Sequence, residues 1–143
     1  MEHLNNNVFS SFITFNVLHT GYPHYRVFEI AAIRYGLNGV EGEWSQQLSP
    51  KVFLSRQRQQ YYEVTNQSLE TKPILRRVLP QFLDFVGDLP LVAHFCSYQL
   101  SFFQEYSSDL TQIEYRFCTW RLAQKILFLS SEEASFEGIQ KYF

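Results

Sequence analysis

Cysteine occurs only twice, at Cys96 and Cys118, in no spacing that makes a zinc site or a disulfide framework. No apolar run approaches the ~20 residues that a bilayer-spanning helix needs. Residues 1–8 are polar and amide-rich, without the basic start and apolar continuation of a secretory signal. A cytoplasmic protein with no membrane span is therefore the expectation. Charge is also sparse: Asp, Glu, Lys and Arg make up 18% of the chain and the net charge is −2, so no overall field draws it to nucleic acid. Internal repeats, low-complexity stretches and linkers are missing as well. What remains is a chain of 143 residues that is 45% hydrophobic, with 14 Phe and 9 Tyr, enough to bury one core and too apolar for disorder. One domain over residues 1–143 is expected, with residues 1–8 flexible.

Periodicity orders the elements. Residues 9–17 alternate and are rich in Phe, Ile, Val and Thr, which predicts a strand. Thr20-Gly21-Tyr22-Pro23 supplies turn chemistry, and residues 26–35 form a second strand. Asn38-Gly39 then predicts a hairpin, with a loop longer than two residues, leading to a third strand at 43–48. Leu75, Val78, Leu79, Phe82, Leu83 and Val86 recur at three and four, one apolar helical face. Thr71 is placed to cap that helix and Gly87 to close it. Residues 90–93 read as a short strand, followed by a helix capped by Ser97 and running to about Tyr106. Residues 113–117 read as a last strand. A helix carrying Leu122, Ala123, Ile126 and Leu127 comes next, and a final helix opens on a Ser130/Glu133 capping box. The order βββ-α-β-α-β-α-α predicts an α/β layered domain with a mixed sheet.

Several segments, in order, resemble the DnaQ-like (DEDD) exonuclease superfamily, of the ribonuclease-H-like fold. Phe15-Asn16-Val17-Leu18-His19-Thr20-Gly21 is similar to that family's F-D-x-E-T-T-G, and Glu29-Ile30-Ala31-Ala32-Ile33 to its E-I-A-A-V strand. Leu48-Ser49-Pro50 and Glu63-Val64-Thr65 resemble its L-x-x-P and T-G-I-T. Residues 78–88 followed by Leu91-Val92-Ala93-His94 resemble its long helix and V-A-H-N-x-x-F-D. Phe117-Cys118-Thr119-Trp120-Arg121-Leu122-Ala123 stands where members carry x-D-T-L-x-L-A. The resemblance implies three antiparallel strands, then parallel ones, flanked by helices. It also implies a chain truncated at its C-terminus, since the family's third motif would lie past Phe143.

Members of the family hydrolyse a terminal phosphodiester with two divalent ions, Mg²⁺ or Mn²⁺, about 3.5–4 Å apart. Such hard ions require carboxylate oxygens, whose charge offsets the crowding of two dications and a phosphate. The resemblance places those acids at Asn16, Leu18 and Gln99. None is an acid. Asn16 keeps an oxygen without charge, Leu18 offers no ligand, and Gln99 is neutral. Glu29 stands beside the metal carboxylates in the family motif, not among them. His19, Thr20 and His94 would border the former cleft. His19 and His94 with Cys96 and Cys118 form a conceivable zinc constellation, against which the core role of strand cysteines weighs heavily.

The expectation is thus an exonuclease fold with no metal cofactor and no catalysis, acting as a protein-interaction or nucleic-acid-binding module. Its partner would be a second copy, another protein, or weakly held single-stranded nucleic acid. For the last, Arg56, Arg58, Arg76 and Arg77 are the candidate phosphate contacts. The alternative is a metal-dependent 3′–5′ exonuclease on DNA or RNA with an altered or split site.

Overall fold

The computed structural model of the chain describes residues 9–106, 108–110 and 113–142; the expected flexible stretch at 1–8 lies outside them. Five strands make one sheet in the order β3-β2-β1-β4-β5. Strands β1 (Ser11–His19), β2 (Val27–Gly36) and β3 (Gly39–Gln47) form an antiparallel meander. Strands β4 (Leu91–Ala93) and β5 (Arg116–Cys118) add parallel to β1 and to each other. This is the mixed sheet with flanking helices that the sequence predicts. No helix among the described residues is long and apolar enough to cross a membrane.

The period-two pattern of β1 sends Ile13, Phe15 and Val17 to one face, where they meet Ile30 and Ala32 of β2. Helix α3 (Leu75–Val86) lays Val78, Leu79, Phe82, Leu83 and Val86 on that face, all buried. Phe82 is the centre of this core: its ring lies 5.7 Å from those of Phe15 and Trp44 and 5.9 Å from that of Phe103. A second cluster of Phe28, Leu54, Val64 and Leu69 packs with Leu18 and Tyr62. A bulge creates it. Leu18 pairs with Glu29 and His19 with Val27, so Phe28 is left over between them and turns toward Leu18's side of the sheet.

Several boundaries differ from those read in the sequence. Strand β3 starts at Gly39, not residue 43, because Gly36 pairs directly with Gly39 and the hairpin loop is only Leu37-Asn38. Two short helices, α1 (Arg56–Tyr61) and α2 (Asn66–Glu70), occupy a stretch in which the sequence reading placed no element. At six and five residues they are too short to show a period, and caps hold them instead. The Ser55 hydroxyl accepts from Arg58 N–H, and Thr65 and Ser68 bond reciprocally. Thr71 closes α2 instead of opening α3, whose N-cap Ile74 contributes no side-chain bond.

Helix α4 (Cys96–Ser101) begins on Phe95 in the left-handed region, placing Ser97 inside the helix, and a separate 3-10 turn at Gln104–Tyr106 follows. Helix α5 spans Thr119–Ile126. Ser130 and Glu133 do make their reciprocal bonds, at 2.9 and 3.2 Å, but they brace a turn. The last helix, α6 (Phe136–Ile139), is capped by Ser135.

Candidate functional site

A cleft of about 740 Å³ opens where the C-terminal ends of β1 and β4 meet the starts of α4 and α5, with α6 closing over it. Thr14 and Asn16 reach it from the outward face of β1. Val92 and His94 come from β4 and the residue after it, Tyr98 and Gln99 from α4, and Thr119 from α5. Phe95, Phe136 and Ile139 add an apolar wall, and no Asp, Glu, Lys or Arg is among the lining residues.

Gln99 is built into the scaffold at this site. Its side chain is 8% exposed. Its Oε1 accepts the Val17 N–H at 2.7 Å, and its Nε2 donates to the His94 carbonyl at 2.9 Å. Strand β4 has only three residues, so β1 offers an N–H beyond the reach of its parallel neighbour. The carboxamide takes that N–H and returns a donor to the chain leaving β4, as a peptide group would. Both ends of the amide are used, and neither is free to hold an ion. Leu18, two positions beyond Asn16, does not line the cleft; it packs into the cluster around Phe28. Glu29 accepts a long bond from Gln47 at 3.3 Å, away from the cleft lining.

The two histidines are held by different means. His19 accepts the Gly21 N–H at Nδ1 (3.1 Å), so its proton resides on Nε2, which lies 3.4 Å from the Tyr98 hydroxyl. Its ring stacks on Phe102 at 4.8 Å. Burial, and then the Arg58 guanidinium, keep its pKa below the ordinary value. His94 meets Thr119 Oγ1 through Nδ1 at 3.0 Å, while its Nε2 is buried without a partner. Burial likewise depresses its pKa.

The remaining sequence-picked residues sit elsewhere. Thr20 is buried in the β1–β2 turn, where its hydroxyl accepts the Arg26 N–H. Arg58 donates to the His19 carbonyl at 2.9 Å and lies across Gly21, whose φ of +76° and missing Cβ admit it; a Cβ there would stand 2.6 Å from the guanidinium. Arg56 lies on α1. Arg76 and Arg77 are exposed in the first turn of α3, Arg76 bordering a separate groove with Lys51 and Tyr106. The structure thus brings Asn16, Gln99, His19 and His94 to one cleft and leaves Leu18, Thr20 and the arginines outside its lining. Tyr98, Phe95 and Phe136 line the cleft without having been singled out from the sequence.

Mg²⁺ or Mn²⁺ does not fit this donor set. The cleft presents amides, imidazoles and hydroxyls with no carboxylate to offset two dications. Among the described residues no three of His, Cys, Asp and Glu are grouped to hold a metal, which also leaves His19, His94, Cys96 and Cys118 without a common zinc geometry.

Comparison with known proteins agrees with the architecture. No protein-family model matches the chain. It is 29% identical over 119 residues to the DNA polymerase III subunit epsilon of Aquifex aeolicus, covering 81% of this chain and 54% of that protein. It is 25% identical over 101 residues to the PolC-type DNA polymerase III of Clostridium perfringens, covering 69% of this chain and 7% of that one. The chain therefore spans about half the first relative and a small part of the second. Among solved structures, a full-length 3′-exonuclease superposes with a TM-score of 0.76 at 11% identity, covering 94% of this chain and 70% of that one. The nuclease domain of 3′hExo, a DEDDh family member bound to rAMP, gives 0.70 at 12%, covering 90% and 76%. At such identities these structures establish the fold alone. Sheet order, cleft position and sequence likeness converge on one class: the chain has the fold of the DEDDh exonucleases and is similar in sequence to a DNA polymerase III epsilon subunit, which supports a DnaQ-like exonuclease relationship.

Proposed function

We propose that this chain is a noncatalytic exonuclease-like domain that binds where its relatives cleave. The observation that carries this reading is Gln99. The position that the resemblance assigns to a metal carboxylate is a neutral amide whose two ends are consumed in holding β1 to the β4–α4 turn. Leu18, the second such position, is partly buried and packs against the cluster around Phe28. The cleft left behind is uncharged and walled by Phe95, Phe136 and Ile139, which suits an apolar or aromatic occupant, such as a side chain of a protein partner or an unstacked base, better than a phosphate. If the partner is single-stranded nucleic acid, Arg56, Arg58, Arg76 and Arg77 are the cations to meet its backbone, and binding to a labelled oligonucleotide should weaken steeply with salt.

Isothermal titration with Mn²⁺, with and without a 3′-hydroxyl mononucleotide, tests the loss of catalysis. No saturable heat is expected in either case, and an oligonucleotide should keep its 3′ end. Saturable Mn²⁺ binding that needs the nucleotide, with metal-dependent release of 3′ nucleotides, would restore the exonuclease reading.

A further inference from the structure

A second hollow, of about 720 Å³, shares only Tyr98 with the cleft among its lining residues. It includes none of Asn16, Leu18 and Gln99, so what it binds does not depend on the fate of the former metal positions. Its size is that of a small-ligand site. Cations from three separate segments converge on it: Arg26 from the β1–β2 turn, Lys51 from the chain leaving β3, and Arg76 from the start of α3. Glu105 is the one acid in the lining, and it meets Arg26 at only 3.9 Å with both side chains largely exposed. Lys51 and Arg76 have no ion-pair partner among the described residues. Two tyrosines add ring faces: Tyr25, 47% exposed, and Tyr106, half-buried. Tyr25 and Lys51 both hold left-handed backbone, with φ of 48° and 58°. Residues that carry a Cβ adopt this region uncommonly, and here two residues lining one hollow do so.

We propose that this hollow binds a free nucleoside polyphosphate, with the phosphates against Lys51, Arg76 and Arg26 and the base against the rings of Tyr25 and Tyr106. Linked phosphates suit cations that come from separate segments, because each phosphate can meet a different one. A planar base suits the tyrosine faces, which offer stacking without requiring a particular base. The cations gather in one bowl and do not track a strand, since Arg56, Arg58 and Arg77 all lie outside its lining. That arrangement favours a compact anion over a polymer.

Glu105 gives the proposal a sign that a merely sticky surface would not share. Its pair with Arg26 is long and exposed, and such pairs hold weakly. A polyphosphate displaces the carboxylate from Arg26 and thereby gains a third cation, but it does so against the repulsion of the carboxylate it displaces. Removing the charge at position 105 should therefore tighten binding, while removing it at position 51 or 76 should weaken it.

The test is isothermal titration of the whole chain with ADP, ATP, adenosine and inorganic pyrophosphate, in EDTA at low salt. ADP and ATP should bind at a single site, at least about tenfold more tightly than adenosine, and pyrophosphate should compete with ADP more weakly than ATP does. Lys51→Gly, which suits the left-handed backbone, and Arg76→Gln, on an exposed position, should each weaken ADP about tenfold. Glu105→Gln should tighten it severalfold. Lys125→Gln, an exposed cation on α5 outside both linings, should leave it unchanged and so exclude a simple effect of net charge. The wild-type series needs no substitution and decides the matter even where a variant fails to fold. No saturable binding at millimolar ADP, adenosine binding as well as ADP, or equal losses in Lys51→Gly and Lys125→Gln would each overturn the proposal. So would displacement of ADP by a 5′-phosphorylated single-stranded oligonucleotide at far lower concentration than ATP requires, which would assign the hollow to a strand end.

Discussion

At the scale of single residues, Gln99 is a buried amide bonded at both ends. Gln99→Leu keeps most of the volume but leaves the Val17 N–H and the His94 carbonyl unpaired in a buried place. An unpaired buried group costs about 1–3 kcal/mol, so with two such groups the variant should lose roughly 2–6 kcal/mol in chemical denaturation. Gln99→Glu separates the two bonds. Its carboxylate still accepts from Val17 but faces the His94 carbonyl with a second lone pair. That variant should be weakened at neutral pH and recover as pH falls, when the protonated carboxyl becomes a donor; an unchanged gap from wild type across pH would count against this account.

The histidines give the wild type its own pH dependence. Both have folded pKa values lowered from 6.5, so below that value the unfolded chain binds more protons. Stability should be complete above about 6.5, decline as pH falls through it, and level off once the folded values are passed. His94→Gln should flatten part of that decline in denaturation midpoints followed against pH. Sequence alone reached these residues by their place in the motifs. The double duty of Gln99 was not legible, because one of its partners is a backbone N–H whose availability depends on how early β4 stops.

Among the elements, α3 joins a strong pattern to a weak start. Its apolar face is regular, yet its N-cap is Ile74, its first turn carries Arg76 and Arg77 with no acid, and Pro80 removes a backbone donor from its interior. Ile74→Asp supplies both a cap and a charge of the favourable sign, and should raise stability by about 0.5–2 kcal/mol in urea denaturation. No gain would mean that the chain arriving from Pro73 cannot present the new carboxylate to the first N–H groups. The same contrast explains what could be read in advance. Strands β1 and β2 and helix α3 announce themselves because long faces must be buried. Helices α1 and α2 do not, since Ser55 and Thr65 create them locally without a period. The Ser130/Glu133 bonds formed as the residues suggested, but with Ala134 and Ser135 bending the chain the result is a turn, and the helix waits for Ser135.

Over the whole molecule, cohesion comes from burial and hardly from charge. The one ion pair among the described residues joins Arg26 and Glu105 at 3.9 Å, both well exposed. Exposed pairs are worth about 0–1 kcal/mol and are screened by salt. Raising sodium chloride from low to about physiological strength should therefore move unfolding free energy by less than about 1 kcal/mol. A large shift would reveal charge interactions that the fold does not display. Stability and any nucleic-acid binding would then respond to salt very differently, which lets one titration separate binding from unfolding.

The short reach of β4 has a consequence for descent. Once a side-chain amide substitutes for the missing peptide partner of β1, position 99 belongs to the scaffold, and a return to an acid there removes a tie before it supplies a ligand. At position 18 the path back is barred differently, since a carboxylate would enter an oily cluster. A lineage that has crossed both steps faces an uphill route in each direction, single change by single change. On the proposed reading, loss of chemistry in such a domain is less a blemish awaiting repair than a ratchet, after which selection acts on what the surface and the cleft are able to hold.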